Sequence, residues 1–181
     1  MKKQILALIG LPGAGKTTAS LFFAKKNIPV VSLGKLTLEL LNQKKLETGE
    51  KNESIIRNQI RDELGKEAYV RLALPKIIKY LADHSLVVIE GVRSFEELDY
   101  LKTKIDIMKS VFIEADENLR YQRLEKRKVR PLTRKLAKER DLNERGTFGT
   151  ERLKKVADFL IENKSDFISF YKNLENVLEI M

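Results

Sequence analysis

The chain has no cysteine, which removes disulfides and thiolate metal sites from consideration. It has one histidine, His84, just ahead of an apolar run; there it reads as a turn residue rather than a catalytic base. No apolar run approaches the roughly 20 residues of a membrane span. Lys2-Lys3 followed by Gln4 to Gly10 has the outline of a signal peptide, but the residues that follow put that run to another use. No repeat, low-complexity tract or Pro/Ser/Gly linker divides the sequence, and 181 residues suit one domain, 1–181, with a substantial core. These absences predict a soluble, cytoplasmic protein.

What the chain does carry, at its start, is a phosphate-binding pattern. Gly10-Leu11-Pro12-Gly13-Ala14-Gly15-Lys16-Thr17 fits G-x-x-x-x-G-K-[ST]. It follows the apolar run Ile5–Ile9 and leads into a helix-forming segment, the strand–loop–helix context the pattern needs. The glycines let successive N–H groups turn inward around a phosphate, and the helix N-terminus adds partial positive charge. Lys16 reaches toward the β- and γ-phosphates and the Thr17 hydroxyl suits Mg²⁺. Gly10, Pro12, Gly13, Ala14, Gly15, Lys16, Thr17 and Thr18 are therefore expected to hold ATP, with Mg²⁺ carried by the nucleotide as the one metal.

Five short apolar runs read as strands: Gln4–Ile9, Ile28–Ser32, Leu86–Glu90, Met108–Glu114 and Ala157–Ile161. They are nearly continuous in apolar residues, as befits strands buried on both faces. Helical patterns lie between and after them: Thr18–Lys26, Lys35–Lys45, Glu53–Ala82, Phe95–Lys104, Glu117–Lys128, Thr133–Glu144 and Asp166–Ile180. The segment Glu53–Ala82 is expected to break at Gly65, and Pro75 to start a second piece. Such alternation predicts a parallel α/β sheet. Ligands then gather beyond the carboxyl ends of the strands: Gly10–Thr17, Leu33–Leu38, Glu90–Ser94, Glu114–Asp116 and Glu162–Ser165.

In one of those stretches, Glu90-Gly91-Val92-Arg93, a strand-end carboxylate can hold Mg²⁺ or its water beside the phosphate loop. Gly91 permits close approach, and Arg93 offers a fork that grips phosphate in bidentate fashion. The net charge of +9 fits either a nucleic-acid surface or cations gathered around phosphorylated substrates. Much of the positive charge lies between Arg120 and Arg145, and about half of that run is expected to be plain solvated helix face.

In order and spacing, the phosphate loop, Glu90-Gly91-Val92-Arg93, Arg123 to Arg130, Arg140-Asp141 and Ala157-Asp158 with Asn163 resemble the P-loop nucleoside monophosphate kinases. Within that group the likeness is to adenylate- and cytidylate-kinase-related proteins best known from archaea, and more distantly to dephospho-coenzyme A kinases. The resemblance spans essentially the whole chain. It implies a three-layer α/β/α P-loop NTPase fold with a five-stranded parallel sheet in the order 2-3-1-4-5, an acceptor-binding region over about 34–65 and a helical lid over about 128–146. It implies that Arg93 grips the acceptor phosphate, and that Arg123 and Arg127 meet the donor at the lid hinge. Arg130 and Arg140 would neutralise the transferred group, an effect worth about 10³-fold or more in rate. Asn163 would lie beside the donor adenine.

The chain departs from that pattern after its second strand. Relatives carry an aspartate and an arginine in the turn that reads the acceptor; here the turn is Leu33-Gly34-Lys35-Leu36-Thr37-Leu38. The lid also opens on Val129-Arg130-Pro131 where an acidic stretch is expected. No residue from Val30 to Leu38 is acidic, so that turn supplies no base for a hydroxyl acceptor. A phosphate acceptor is already deprotonated and needs only positioning and neutralisation. Gly34, Lys35, Glu90, Gly91 and Arg93 are the expected acceptor contacts. Phe159, Phe167, Phe170 and Tyr171 read as packing, and Phe148, between Gly146 and Gly149, as packing, a lid latch or a stacking platform.

The sequence thus predicts an ATP- and Mg²⁺-dependent kinase for a small phosphorylated acceptor, a nucleoside monophosphate first. Dephospho-coenzyme A or another hydroxyl acceptor is the alternative within enzymes; a nucleotide-dependent nucleic-acid factor or a nucleotide sensor is the alternative outside them. The expected partner is a small nucleotide rather than a nucleic acid or a membrane, with the protein a monomer or homodimer.

Overall fold

The computed structural model describes residues 2–164 and 166–181; Ser165, the last residue of one strand-end stretch named above, lies outside them. Five parallel strands form one sheet in the order β2-β3-β1-β4-β5, as the resemblance implies. They are β1 (Gln4–Ile9), β2 (Val30–Ser32), β3 (Leu86–Glu90), β4 (Ile107–Glu114) and β5 (Phe159–Glu162). The helices are α1 (Lys16–Lys25), α2 (Leu33–Gln43), α3 (Glu50–Leu64), α4 (Ala68–Asp83), α5 (Phe95–Lys102), α6 (Glu117–Lys126), α7 (Arg134–Phe148), α8 (Thr150–Val156) and α9 (Phe167–Ile180). None of them is long and apolar enough to cross a membrane, among the described residues.

The two-residue period of β1 divides the core. Ile5, Ala7 and Ile9 point to one side, where they pack with residues of α2, α3, α4 and α5. Leu6 and Leu8 point to the other, against Ala19 and Phe23 of α1 and Phe170, Leu174 and Val177 of α9. Both faces of the strand are therefore buried, which is why its apolar residues run without alternation. At the edge of the sheet Asp158 ties β5 to β4, accepting from the Ser110 N–H at 2.9 Å and from Lys109 Nζ at 3.0 Å.

Four expectations need correction. Pro75 does not start a segment; it sits inside α4. The apolar stripe Tyr69, Ala73, Ile77 and Leu81 continues past it at helical spacing, and packing along that stripe outweighs the one N–H the ring removes. The break falls at Gly65, where φ is +88°. Second, α7 continues four residues past Glu144, to Phe148, and a further helix, α8, begins after Gly149. Third, no turn follows β2: α2 begins at Leu33, directly after Ser32. With Leu33, Thr37 and Leu41 facing inward, Lys35 is carried to the exposed face. Fourth, Phe167 is 63% exposed. It opens α9 just ahead of the buried stripe Phe170, Leu174 and Val177, while Phe159 and Tyr171 are half-buried as expected of packing residues.

Candidate active site

The phosphate loop joins the carboxyl end of β1 to the start of α1. Its glycines are required by close approach as well as by backbone angle. A Cβ on Gly13, φ +80°, would lie 2.6 Å from the Arg120 carbonyl oxygen, and one on Gly15, φ +115°, would lie 2.3 Å from Asn163 Nδ2. Three side chains hold the loop from behind. Arg120, 2% exposed, donates to the Pro12 carbonyl at 3.0 Å and makes a two-pronged pair with Asp141 of α7. Arg123 donates to the Gly13 carbonyl at 3.2 Å and to Asn163 Oδ1 at 3.2 Å. Asn163 Nδ2 donates to the Ala14 carbonyl at 2.9 Å. With these carbonyls engaged from outside, the loop is fixed before any ligand arrives.

Lys16 Nζ donates to the carbonyls of Gly10 and Leu11, at 2.5 and 3.0 Å. Burial pushes its ammonium down to about 8; Glu144 and Glu90 pull the other way, and Arg93 and Arg140 lower it further. Such a cation has shed much of its water and attracts phosphate strongly. Beside it, Thr17 Oγ1 donates to Glu90 Oε1 at 2.8 Å. Among the described residues no group of three or more His, Asp or Glu side chains is arranged for a metal. The Thr17–Glu90 pair offers two oxygens, a set that suits a hard cation bringing its other oxygen ligands with it, as Mg²⁺ does on nucleotide phosphates.

Opposite Lys16 the cleft, about 370 Å³, is walled by arginines. Arg93 leaves the end of β3. Its backbone N–H, like that of Ser94, is held by the buried carboxylate of Glu97 in the capping box of α5. Arg127 ends α6 and donates through Nε to the Arg130 carbonyl; burial first, then Arg130 and Arg140, lower it to about 10. Arg130 and Arg140 come from the segment leading into α7 and from α7 itself. All four line the cleft with Gly10, Pro12, Gly13, Gly15, Lys16, Thr17 and Thr18, and with Gly34, Glu90, Gly91, Arg123 and Asn163. Two expected residues do not. Ala14 faces a neighbouring hollow behind the loop, and Lys35 lines a groove on the far side of Thr17 and Glu90.

Three of these arginines, Arg93, Arg130 and Arg140, are paired with carboxylates that no motif marks. Glu144 accepts from Arg93 at 3.1 Å and from Arg140 at 3.2 Å. Glu50 accepts from Arg140 at 2.9 Å and also pairs with Arg57. Glu53, 2% exposed, accepts from Arg130 at 2.9 Å and from Arg57 at 3.3 Å. Helix α7 and the segment leading into it are thereby stitched to α3 across the cleft. The one signal in the sequence was helical spacing: Glu53 with Arg57, and Arg140 with Glu144, are i,i+4 pairs. Phe148 stacks against Arg61 of α3, 4.5 Å from ring centre to guanidinium, a contact that fits the latch reading. Exposed Phe167 lines the cleft, as Arg123 and Asn163 do.

Comparison with known proteins gives the family and the fold. Residues 6–145 match the family described as AAA domain. A UPF0200 protein of Pyrococcus furiosus is 35% identical over 185 residues, covering 98% of this chain and 97% of that one. A UPF0200 protein of Thermococcus sibiricus is 31% identical over 180 residues, covering 97% and 94%. The chain belongs to the UPF0200 family. Among solved structures, a shikimate kinase from Bacteroides thetaiotaomicron superposes with a TM-score of 0.57 at 18% identity, covering 98% of this chain and 97% of that one. That likeness shows the fold alone, which in this UPF0200 member is the 2-3-1-4-5 parallel sheet with helices on both of its faces.

Proposed function

We propose that this UPF0200 protein transfers the γ-phosphoryl group of ATP to a small phosphorylated acceptor, a nucleoside monophosphate first. The observation that carries the reading is the convergence of Arg93, Arg127, Arg130 and Arg140 on a cleft whose other wall is Lys16 and the phosphate loop. Two phosphates meeting there need their charge neutralised and their geometry held, and planar, permanently charged guanidinium groups do both. The loop amides and Lys16 hold the triphosphate; Arg123 and Arg127 adjoin it; Arg93 takes the acceptor's phosphate. Mg²⁺, when bound with nucleotide, supplies further charge neutralisation, and Thr17 and Glu90 are the residues suited to hold it. Helix α7 covers the cleft so that transfer competes with hydrolysis.

A hydroxyl acceptor is the second reading, favoured by one observation. Glu90 is a strand-end carboxylate in the cleft, 2.8 Å from Thr17 Oγ1, where it can also accept a hydroxyl proton. A coupled assay with ATP and Mg²⁺ separates the readings, run against ribo- and deoxyribonucleoside monophosphates and dephospho-coenzyme A, with Lys16→Ala as blank. Turnover with a monophosphate is expected. Turnover confined to a hydroxyl acceptor transfers the assignment to the second reading, and no turnover with any acceptor removes both.

A further inference from the structure

We propose that Glu144 is a specificity-determining residue: its carboxylate occupies the seat of the acceptor's phosphate on Arg93, and an acceptor binds by exchanging its own anion for it. The word acceptor rests on the reading above; the anion seat itself does not.

Three observations place Glu144 apart from the other carboxylates. It is 5% exposed, yet it lines the cleft together with Lys16, Arg93 and Arg140, whereas Glu50 and Glu53 do not line it. Among the described residues it is the one carboxylate within ion-pair distance of Arg93, at 3.1 Å. Arg140, by contrast, keeps a second partner, Glu50 at 2.9 Å. Release of Glu144 therefore leaves α7 docked on α3 through Arg140–Glu50, and the segment leading into α7 docked through Arg130–Glu53. The exchange frees Arg93 without requiring the lid to open. Burial opposes the charge on Glu144, but Arg93, Arg140 and Lys16 overcome it and bring its carboxyl down to about 2. An ionised carboxylate is therefore what an incoming anion meets.

Arg93 cannot serve both anions at close range, because two like charges in a partly dried cleft repel. Binding is then limited to the fraction of molecules in which Glu144 has let go. A dianionic phosphomonoester, with three oxygens for Arg93 and Arg140 to share, gains more from the exchange than a carboxylate, which only reproduces what Glu144 already provides. The residue thus tilts selection toward phosphomonoesters and against carboxylates.

The test is a double-mutant cycle read by calorimetry with inorganic phosphate, on the full chain: wild type, Glu144→Gln, Arg93→Ala and the double variant. The phosphate loop is common to all four, so its own affinity drops out of the comparison. Glu144→Gln is expected to tighten phosphate about tenfold or more, since the competent fraction rises toward one. In the Arg93→Ala background the same change should be below about twofold. No tightening, or equal tightening in both backgrounds, overturns the proposal, the latter marking a general charge effect. Should Glu144→Gln not fold, Glu144→Asp keeps the charge but draws it back by one methylene. An intermediate tightening supports the exchange, and unchanged or weaker binding overturns it. Loss of the kinase reading shows separately, as absent turnover in the coupled assay with the phosphate cycle intact.

Discussion

The two halves of the cleft are held by different forces. On the proposed donor side, neutral backbone is what is held: the carbonyls of Pro12, Gly13 and Ala14 accept from Arg120, Arg123 and Asn163, with the buried Arg120–Asp141 pair behind them. On the proposed acceptor side, charge holds charge: Arg57, Arg93, Arg130 and Arg140 against Glu50, Glu53 and Glu144. Hydrogen bonds to backbone carbonyls present no carboxylate for a ligand's anion to replace. Buried ion pairs can be traded for a ligand's charge, and they weaken when either partner loses its charge. The phosphate-loop half is thus a preformed socket, and in the proposed function the opposite half is a set of contacts that an acceptor can replace.

The largest expected effect comes from emptying the socket of its cation. Lys16→Ala should lower turnover at least about 10³-fold, with the circular dichroism spectrum unchanged; a loss below about tenfold would place the donor phosphates elsewhere. Next comes the brace behind the loop. Asp141→Ala strips buried Arg120 of its partner and should destabilise the fold by about 3–5 kcal/mol, read from urea unfolding. A change within about 0.5 kcal/mol would mean the loop does not depend on that pair. On the acceptor side, Arg93→Ala should raise the acceptor KM about 10²-fold while leaving ATP affinity within about twofold. An equal loss of ATP affinity would erase the distinction between the halves.

Acidity sharpens the same contrast. Glu144, held at about 2 against an ordinary 4.5, contributes stability that is fully present above pH 4.5 and is lost as the pH falls toward 2. Glu144→Gln should flatten that part of the acid-unfolding profile. Lys16 works in the opposite range. Its ammonium, at about 8 in the free protein, is stabilised by bound phosphate, so ATP binding takes up a proton. Affinity should therefore fall as the pH rises past about 8, and Lys16→Arg should remove the slope. The smallest effect is expected from Phe167→Ala. The ring is 63% exposed, so stability should stay within about 0.5 kcal/mol; if the ring covers the donor base, ATP affinity falls a few-fold.

The donor half was the more legible in sequence, for a physical reason. A phosphate loop is local: glycines, lysine and threonine act within eight consecutive residues, Gly10–Thr17, and the flanking strand and helix have their own periodicities. Buried parallel strands announce themselves as unbroken apolar runs, so Gln4–Ile9 and Leu86–Glu90 have the bounds expected of them. The acceptor half depends on which charges meet across long separations. Arg140 finds Glu50, and Arg130 finds Glu53, only once α7 lies over α3, and no spacing rule links residues that far apart. Lys35 shows the opposite failure: read as part of a turn, it faces the cleft, but one early helical start after Ser32 rotates it outward. Phe167 was misread because an aromatic residue one turn before a buried stripe looks like part of it.

The loop and Lys16, the proposed seat of the triphosphate, are expected to work without the arginines opposite. Calorimetric titration of ATP with Mg²⁺ into wild type, Lys16→Ala and Arg93→Ala measures this directly. Saturable one-to-one binding that is lost in Lys16→Ala and kept in Arg93→Ala is the predicted result. Absence of binding in the wild type, or binding that survives in Lys16→Ala, would contradict it.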